Sequence, residues 1–312
     1  MTKTTKVALT LALLAPVPVF AAGIEFKAPT QYPEGIAYSE KTNEFFVSSM
    51  RHGTVGVVKD GKFKPFAKDG QLISSVGMHA DPERGRLLVC VSDPGVSEKT
   101  SPKTQKKLAR LMAFDLKTGK RKASVDLNTL VPEGEHFCND IAIDGEGNAY
   151  VTDSFSPVIY KVDPAFKPSV FLKDDKFKGQ GFGLNGIVHH KDGFLIVAKS
   201  DDGTLWKVSA KGPPAAEPIK ADKLVNADGL ALSAAGDLIV IQNENHQATR
   251  LKSTDGWKTA KADKPVALDA AFPTTAVYAG DKLYVDLSHL NELFADPKKA
   301  KTDTYTLTEV QF

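Results

Sequence analysis

Short runs of alternating apolar and polar residues fill most of the chain, and each run ends at a turn containing Gly, Asp or Asn. From residue 139, for example, the chain reads NDIAIDGEGNAYVTDS, in which two alternating segments flank the turn DGEGN. Period-two alternation bounded by turn residues predicts β-strands. Helical periodicity is nearly absent, and a helical turn is expected only within 104–112. The chain is therefore predicted to be all-β.

This strand-turn-strand unit recurs along the chain. Six copies are recognisable, and their first residues are Glu34, Val76, Asn139, Asn185, Asp228 and Thr274. Each copy continues with two further strand-like segments, such as 158–162 and 169–172 in the third. Four short strands per repeat are typical of one propeller blade. The pattern predicts a six-bladed β-propeller that forms a single domain over residues 23–312.

The last repeat is incomplete, because it has two clear strands, then the alternating segment 304–312, and no outer strand of its own. We expect the segment 24–29 to pair with it. That pairing would close the ring and satisfy backbone groups that an open edge leaves unpaired.

The first 22 residues have the features of a secretory signal peptide. Lys3 and Lys6 precede an apolar run over 7–20, which ends in small residues. The run is too short to span a membrane, and no later segment approaches about 18 uninterrupted apolar residues. We therefore predict an exported protein without a membrane span, in the periplasm or beyond it.

Composition and charge exclude several classes of protein and of partner. The 312 residues are 42% hydrophobic and 25% charged, which is typical of a globular protein and excludes disorder. Without Lys3 and Lys6, 38 basic residues face 38 acidic ones, so nothing indicates a nucleic-acid partner. The two cysteines, Cys90 and Cys138, form either a disulfide or two buried thiols, and they are too few for a thiolate metal site.

The first residue of each repeat should lie at the mouth of the central channel, because the innermost strand of every blade begins beside the propeller axis. Four of these six residues carry a carboxylate or amide oxygen: Glu34, Asn139, Asn185 and Asp228. Such residues also occur as ordinary turn residues. As a set, however, they offer only hard oxygen donors, which suit Ca²⁺. Mg²⁺ and Zn²⁺ are the alternatives, although Zn²⁺ normally recruits His or Cys.

With these motifs the chain resembles the senescence-marker-protein/gluconolactonase family and its relatives, the paraoxonases and diisopropyl fluorophosphatases. The resemblance covers essentially all of 24–312. It rests on PEGI at 33–36, NDIAID at 139–144, NGI at 185–187 and DGLAL at 228–232.

The resemblance implies a six-bladed propeller with a divalent ion, usually calcium, in its channel. By motif match, the implied ligands are Glu34, Asn139, Asn185 and Asp228. Asp228 would also be the catalytic base or nucleophile in metal-assisted hydrolysis of a small-molecule substrate.

The chain also departs from this family. Its sugar-lactone hydrolases carry a substrate-binding Arg two residues before the first metal Asn, where this chain has Phe137. We predict substrate contacts from His136, Phe137 and Phe182 instead. Paraoxonases place two His above the metal, whereas a structural or rim role is predicted here for His79.

Two functions remain open from the sequence. The first is an exported, calcium-dependent hydrolase of lactone, ester or related bonds. The second is a non-catalytic propeller with a structural ion that binds a protein or a small molecule. The residues do not indicate an oligomeric state.

Overall fold

The computed structural model describes residues 21–312, which form strands arranged in six sheets. The predicted signal peptide, 1–22, lies outside these residues except for its last two, which begin the first strand. Every sheet has at least four antiparallel strands, and sequential strands are neighbours within it. The predicted six-bladed, all-β architecture is confirmed.

The first three blades use consecutive strands. Blade one contains β2 (Ile36–Ser39), β3 (Glu44–Val47), β4 (Thr54–Lys59) and β5 (Lys62–Lys68). Blade two contains β6 (Ser74–Asp81), β7 (Arg86–Ser92), β8 (Ala109–Asp115) and β9 (Arg121–Asp126). Blade three contains β10 (Cys138–Ile143), β11 (Ala149–Asp153), β12 (Val158–Val162) and β13 (Pro168–Lys173).

The next two blades follow the same plan. Blade four contains β14 (Leu184–His190), β15 (Phe194–Lys199), β16 (Thr204–Ser209) and β17 (Ala216–Ile219). Blade five contains β18 (Ala227–Leu232), β19 (Leu238–Gln242) and β20 (Gln247–Lys252), with the short strands β21 (Lys261–Ala262) and β22 (Val266–Ala267) both beside β20.

Blade six joins the two ends of the chain. It contains β23 (Pro273–Ala279), β24 (Lys282–Leu287) and β25 (Thr304–Val310), and its outer strand is β1 (Ala21–Lys27). β1 pairs antiparallel with β25, with Phe26 opposite Tyr305. The predicted closure of the ring by the segment after residue 23 is therefore confirmed.

The innermost strands β2, β6, β10, β14, β18 and β23 contact one another in sequence around a central channel. Buried apolar side chains fill the spaces between blades in five clusters. The apolar positions of the repeat therefore form the core, while the channel-facing positions remain available for polar groups.

One helix and three 3₁₀ turns accompany the strands in the described part of the chain. The helix α1 (Leu290–Ala295) follows β24, and the turns are Pro82–Arg84, Asn128–Leu130 and Asp175–Phe177. Of the range 104–112, in which a helical turn was predicted, residues 104–107 lie in hydrogen-bonded turns, whereas the prediction is wrong from Ala109 onward, which pairs with β7 as strand β8. None of the described helices is long and apolar enough to cross a membrane.

A disulfide joins Cys90 of β7 to Cys138, the first residue of β10, and so links blades two and three. Of the two arrangements that the sequence left open, the structure has the paired one. Both residues are fully buried. Since Asn139 follows Cys138 directly, the crosslink lies beside the candidate site.

We expect the double substitution Cys90→Ala/Cys138→Ala to lower the free energy of unfolding by about 2–4 kcal/mol, because the disulfide restricts the unfolded chain. Denaturant unfolding with and without reductant measures this effect. Reductant should destabilise the wild type but leave the double variant unchanged. Equal sensitivity of the two proteins to reductant would contradict the expectation.

Candidate metal and substrate site

The candidate site is built on a bulge that recurs at the start of the inner strands. In β10, β14 and β18 the ladder register shifts so that two residues oppose one. The first bulged residues are Asn139, Asn185 and Asp228. A bulge redirects a side chain that regular pairing would hold in the sheet. Glu34 lies just before β2 in blade one.

These four side chains line one open cavity of about 450 Å³ at one end of the channel. The structure therefore brings together Glu34, Asn139, Asn185 and Asp228 from four blades. Thr274 of blade six lines the same cavity, whereas Val76 of blade two is fully buried in the largest apolar cluster.

Glycines explain how the inner strands approach one another so closely. Gly35, Gly186 and Gly229 each follow a site residue. A Cβ on Gly186 would collide with the backbone oxygen of Asp228, and one on Gly35 would collide with that of Val76. Only glycine permits such close backbone contact, so the motifs EG, NG and DG are structural as well as chemical.

Blade three has Asp140 where these glycines occur in blades one, four and five. Its Oδ1 accepts from the N–H of Ile141 at 2.8 Å, and its Oδ2 accepts from the N–H of Ile187 at 3.2 Å. Asp140 therefore ties β10 to β14 beside the two asparagines. Burial raises the pKa of Asp140 to about 7, against the effect of these two hydrogen bonds.

The amide groups are oriented by hydrogen bonds. Asn139 Nδ2 donates to Ser154 Oγ at 2.9 Å, and Ser154 Oγ donates in turn to the carbonyl of Leu184. The Ser154 hydroxyl therefore accepts from Asn139, which fixes the amide nitrogen and leaves Oδ1 for the cavity. The Asn185 side chain lies close enough to Asp228 to lower the pKa of that carboxyl group.

Asn243, which the sequence analysis missed, holds Asp228. Its Nδ2 donates to Asp228 Oδ2 at 3.0 Å. Burial raises the pKa of Asp228 to about 7, although the hydrogen bonds from Asn243 and Asn185 act in the opposite direction. Aligning the repeats would have identified Asn243, because it follows the second strand of blade five where Ser154 follows that of blade three.

Acidic side chains are concentrated at the centre of the ring. Burial raises the pKa of Glu34 well above its usual value, and so do three acidic neighbours: Asp228, Asp140 and Asp286. Like charges in a desolvated site disfavour ionisation of one another, whereas a nearby cation reverses that effect. The arrangement therefore favours a bound cation.

Asp286 of β24 is the least expected member of this group. It is fully buried opposite the bulge of blade six, and its Oδ1 has no hydrogen-bond partner in the described structure. Its Oδ2 accepts from Thr274 Oγ1 at 3.4 Å. The residue was missed because it lies within a strand, where the repeat pattern predicts packing rather than chemistry.

The outer wall of the cavity is apolar. Phe137 and Phe182, for which substrate contacts are predicted, both line it, with ring centroids 5.2 Å apart. Leu290 and Phe294 of α1 complete the wall. These two residues leave no signal in the sequence, because α1 belongs to no repeat and its position depends on long-range packing.

His136 does not reach the cavity, so its predicted contact with substrate is not supported. The side chain is 3% exposed, and its Nδ1 is 2.8 Å from Asp153 Oδ2 inside blade three. Asp153 also accepts from the backbone N–H of Phe137, so this pair holds the turn before Asn139. The contact with Asp153 explains why His136 faces the interior of the blade.

Two further histidines lie deeper in the channel. His79 and His189 line a second cavity of about 290 Å³, which the inner strands form beyond the bulges. His79 Nδ1 is 3.2 Å from the carbonyl oxygen of Ile141, which agrees with the predicted structural role. His189 stacks on Tyr150.

No family model matches the chain, and no curated protein does. Among solved structures it is similar to the major allergen Mala s 1 of Malassezia sympodialis, with 18% identity, a TM-score of 0.75, and coverage of 93% of this chain and 96% of that one. A luciferin-regenerating enzyme is 14% identical, with a TM-score of 0.62 and coverage of 93% and 98%. A gluconolactonase from Xanthomonas campestris is 14% identical, with a TM-score of 0.61 and coverage of 92% and 89%.

At these identities the similarities establish the fold alone. They agree with the resemblance seen in the sequence motifs. The chain thus has the six-bladed propeller fold that a gluconolactonase and a luciferin-regenerating enzyme share.

Proposed function

We propose that this protein is a metal-dependent hydrolase of lactone, ester or related bonds. One observation carries the proposal: four oxygen-bearing side chains from four blades line a single open cavity, and its carboxylates are surrounded by further acidic groups. A purely structural cluster of this kind would be expected to contain a basic partner.

The donor set favours calcium. In the described part of the chain, no three His, Cys, Asp or Glu side chains form a group that could hold a metal ion, so the amide oxygens of Asn139 and Asn185 would have to complete the site. Glu34 and Asp228 would supply the two carboxylates. Such an all-oxygen set suits Ca²⁺ and is less suited to Mg²⁺ or Zn²⁺.

A bound divalent cation supplies electrostatic stabilisation to an oxygen on which negative charge develops during hydrolysis. The protein supplies the rest. Asn243 donates to Oδ2 of Asp228 and orients the carboxylate, which would take a proton from an attacking water. The water oxygen then bonds to the acyl carbon, the ester C–O bond breaks, and the leaving oxygen takes up the proton from Asp228. Direct attack by Asp228 is the alternative.

We also propose that the protein is exported. The predicted signal peptide motivates this proposal, and the Cys90–Cys138 disulfide supports it, since disulfides persist mainly in oxidising compartments.

Calcium should bind the protein and support hydrolysis. We expect Ca²⁺ at about 100 times its dissociation constant to stabilise the fold by about 2.7 kcal/mol, because it binds only the native state. Thermal unfolding of chelator-treated protein, with Ca²⁺, Mg²⁺ or Zn²⁺ added back, measures this.

Hydrolysis is tested with a panel of lactones, aryl esters and phosphotriesters. We expect turnover in the presence of Ca²⁺, loss of turnover when a chelator removes the metal, and recovery when Ca²⁺ is restored.

Two outcomes would contradict the proposal. Hydrolysis that persists after complete removal of metal would exclude the metal-dependent mechanism. Tight calcium binding without hydrolysis of any substrate would instead favour the non-catalytic propeller with a structural ion.

A further inference from the structure

Aromatic side chains from separate parts of the chain meet at the mouth of the cavity. Phe182 precedes β14, and Phe294 belongs to α1, yet their ring centroids are 6.5 Å apart. Phe182 also contacts Phe137 and Phe155, at centroid distances of 5.2 and 5.1 Å. The four rings therefore form one continuous surface, which we call the aromatic wall: Phe137, Phe155, Phe182 and Phe294.

The outer part of the aromatic wall is open to solvent. Phe182 is 37% exposed and Phe294 is 41% exposed, although their neighbour Phe137 is almost completely buried. Exposing two adjacent phenylalanines costs free energy unless a ligand covers them. Because both line the cavity that holds Asn185 and Asp228, the ligand they suit is the one that reaches those residues.

The charge of the cavity restricts this ligand further. Its charged lining residues are all acidic: Glu34, Asp201, Asp228 and Glu244. Asp201 is paired with Lys199 at 2.9 Å, and a cation held by Glu34 and Asp228 would offset those two charges. Glu244 remains exposed at the rim. A carboxylate or phosphate on the ligand would therefore approach the negative charge of Glu244, and residues 21–312 contribute no basic side chain to the lining.

We infer that the site takes an uncharged lactone or ester whose aryl or long alkyl group lies against Phe182 and Phe294, an inference that rests on the proposed hydrolase function. The aromatic wall binds the apolar group, and the polar floor formed by the four oxygen-bearing residues faces the acyl group. Polyhydroxylated or acidic sugar derivatives should bind more weakly. They lack the apolar group, and their polar groups would lose hydration against this wall.

Binding of lactams tests the inference without any turnover, because a lactam keeps the shape of the lactone and resists hydrolysis. The probes are δ-valerolactam, its 6-phenyl derivative and a derivative with a carboxylate in place of the phenyl group, titrated calorimetrically into the calcium-loaded protein. We expect the phenyl derivative to bind on the order of 10-fold or more tightly than the parent lactam. The carboxylate derivative should bind more weakly than the parent.

Substitutions assign the preference to the aromatic wall. Phe182→Ala and Phe294→Ala should each weaken binding of the phenyl derivative by about 10-fold and leave the parent lactam within about twofold. Phe312→Ala is the matched control, because Phe312 is also 37% exposed but stacks on Arg250 in blade five. It should change neither affinity. Glu244→Gln should reduce the discrimination against the carboxylate derivative.

The inference and the proposed function fail in different ways. Equal binding of the phenyl and parent lactams, no binding of any lactam, or equal losses for both probes in Phe182→Ala would overturn the inference. If the phenyl derivative binds preferentially but no lactone or ester is hydrolysed, the preference for an apolar ligand stands and the proposed hydrolase function is rejected. If lactones or esters are hydrolysed without any preference for apolar substrates, the hydrolase function stands and the inferred ligand preference is rejected.

Discussion

Asp228→Asn should lower kcat for the best substrate of the panel by about 10³-fold, because the variant loses the carboxylate that accepts the proton. Its affinity for calcium should fall as well, since an amide replaces one of the two carboxylates of the donor set. The substitution preserves the shape of the side chain, so a loss of activity reports on charge and basicity. Steady-state kinetics and calcium titration measure both effects.

The stability of the metal-free protein gives an independent check on this substitution. Asp228 lies in a desolvated site, and its charge also acts on Glu34. Without metal, Asp228→Asn should therefore be at least as stable as the wild type near neutral pH. Asp281→Asn, in the exposed turn between β23 and β24, is the control and should change neither activity nor calcium affinity. If the Asp228→Asn variant retains full activity, Asp228 is not the group that accepts the proton.

Phe26→Ala should lower the free energy of unfolding by about 3–5 kcal/mol, because it removes a buried ring from the junction of the chain ends. Phe26 is 1% exposed, and its ring packs against those of Tyr305 and Phe63, with centroids at 5.9 and 6.4 Å. Urea unfolding measures the loss. The adjacent Lys27 is exposed on the same strand, so Lys27→Ala keeps the pairing with β25 and should have little effect.

The same junction also supports the candidate site. Tyr305 Oη accepts from the backbone N–H of Tyr32 at 3.0 Å, and Tyr32 Oη donates to Glu292 of α1 at 3.2 Å. We therefore expect Phe26→Ala to weaken binding of the phenyl lactam as well, because α1 carries Phe294. Equal stability of the Phe26→Ala and Lys27→Ala variants would show that strand pairing alone closes the ring.

The local repeat was sufficient to predict most of the fold. Strand β12 has the predicted bounds, 158–162, and all the repeat starts except Val76 lie on or beside the cavity. This success has a simple cause, because equivalent residues of a repeat occupy equivalent places around one axis. For the same reason Glu34, Asn139, Asn185 and Asp228, which begin four of the repeats, line one cavity.

Predictions for single residues outside the repeat positions were less successful. His136 is adjacent in sequence to Phe137, yet only Phe137 lines the cavity, because Asp153 from the next strand holds the His136 ring inside the blade. The helical turn predicted within 104–112 does not extend beyond 107 for a related reason, because residues from 109 onward complete the ladder of blade two. In both cases a partner distant in sequence decides between two locally acceptable conformations.

By itself, the sequence determined the number of blades, the closure of the ring by its two ends, and the residues that face the channel mouth, because each of these follows from periodicity. Only the tertiary structure decided the cysteine pairing, the orientation of the Asn139 amide, the place of Asp286 beside Glu34 and the aromatic wall. Each of these depends on side chains from different blades, or from a helix outside the repeat, that pack within a few ångströms of one another. Contacts of this kind leave no periodic signal along the chain.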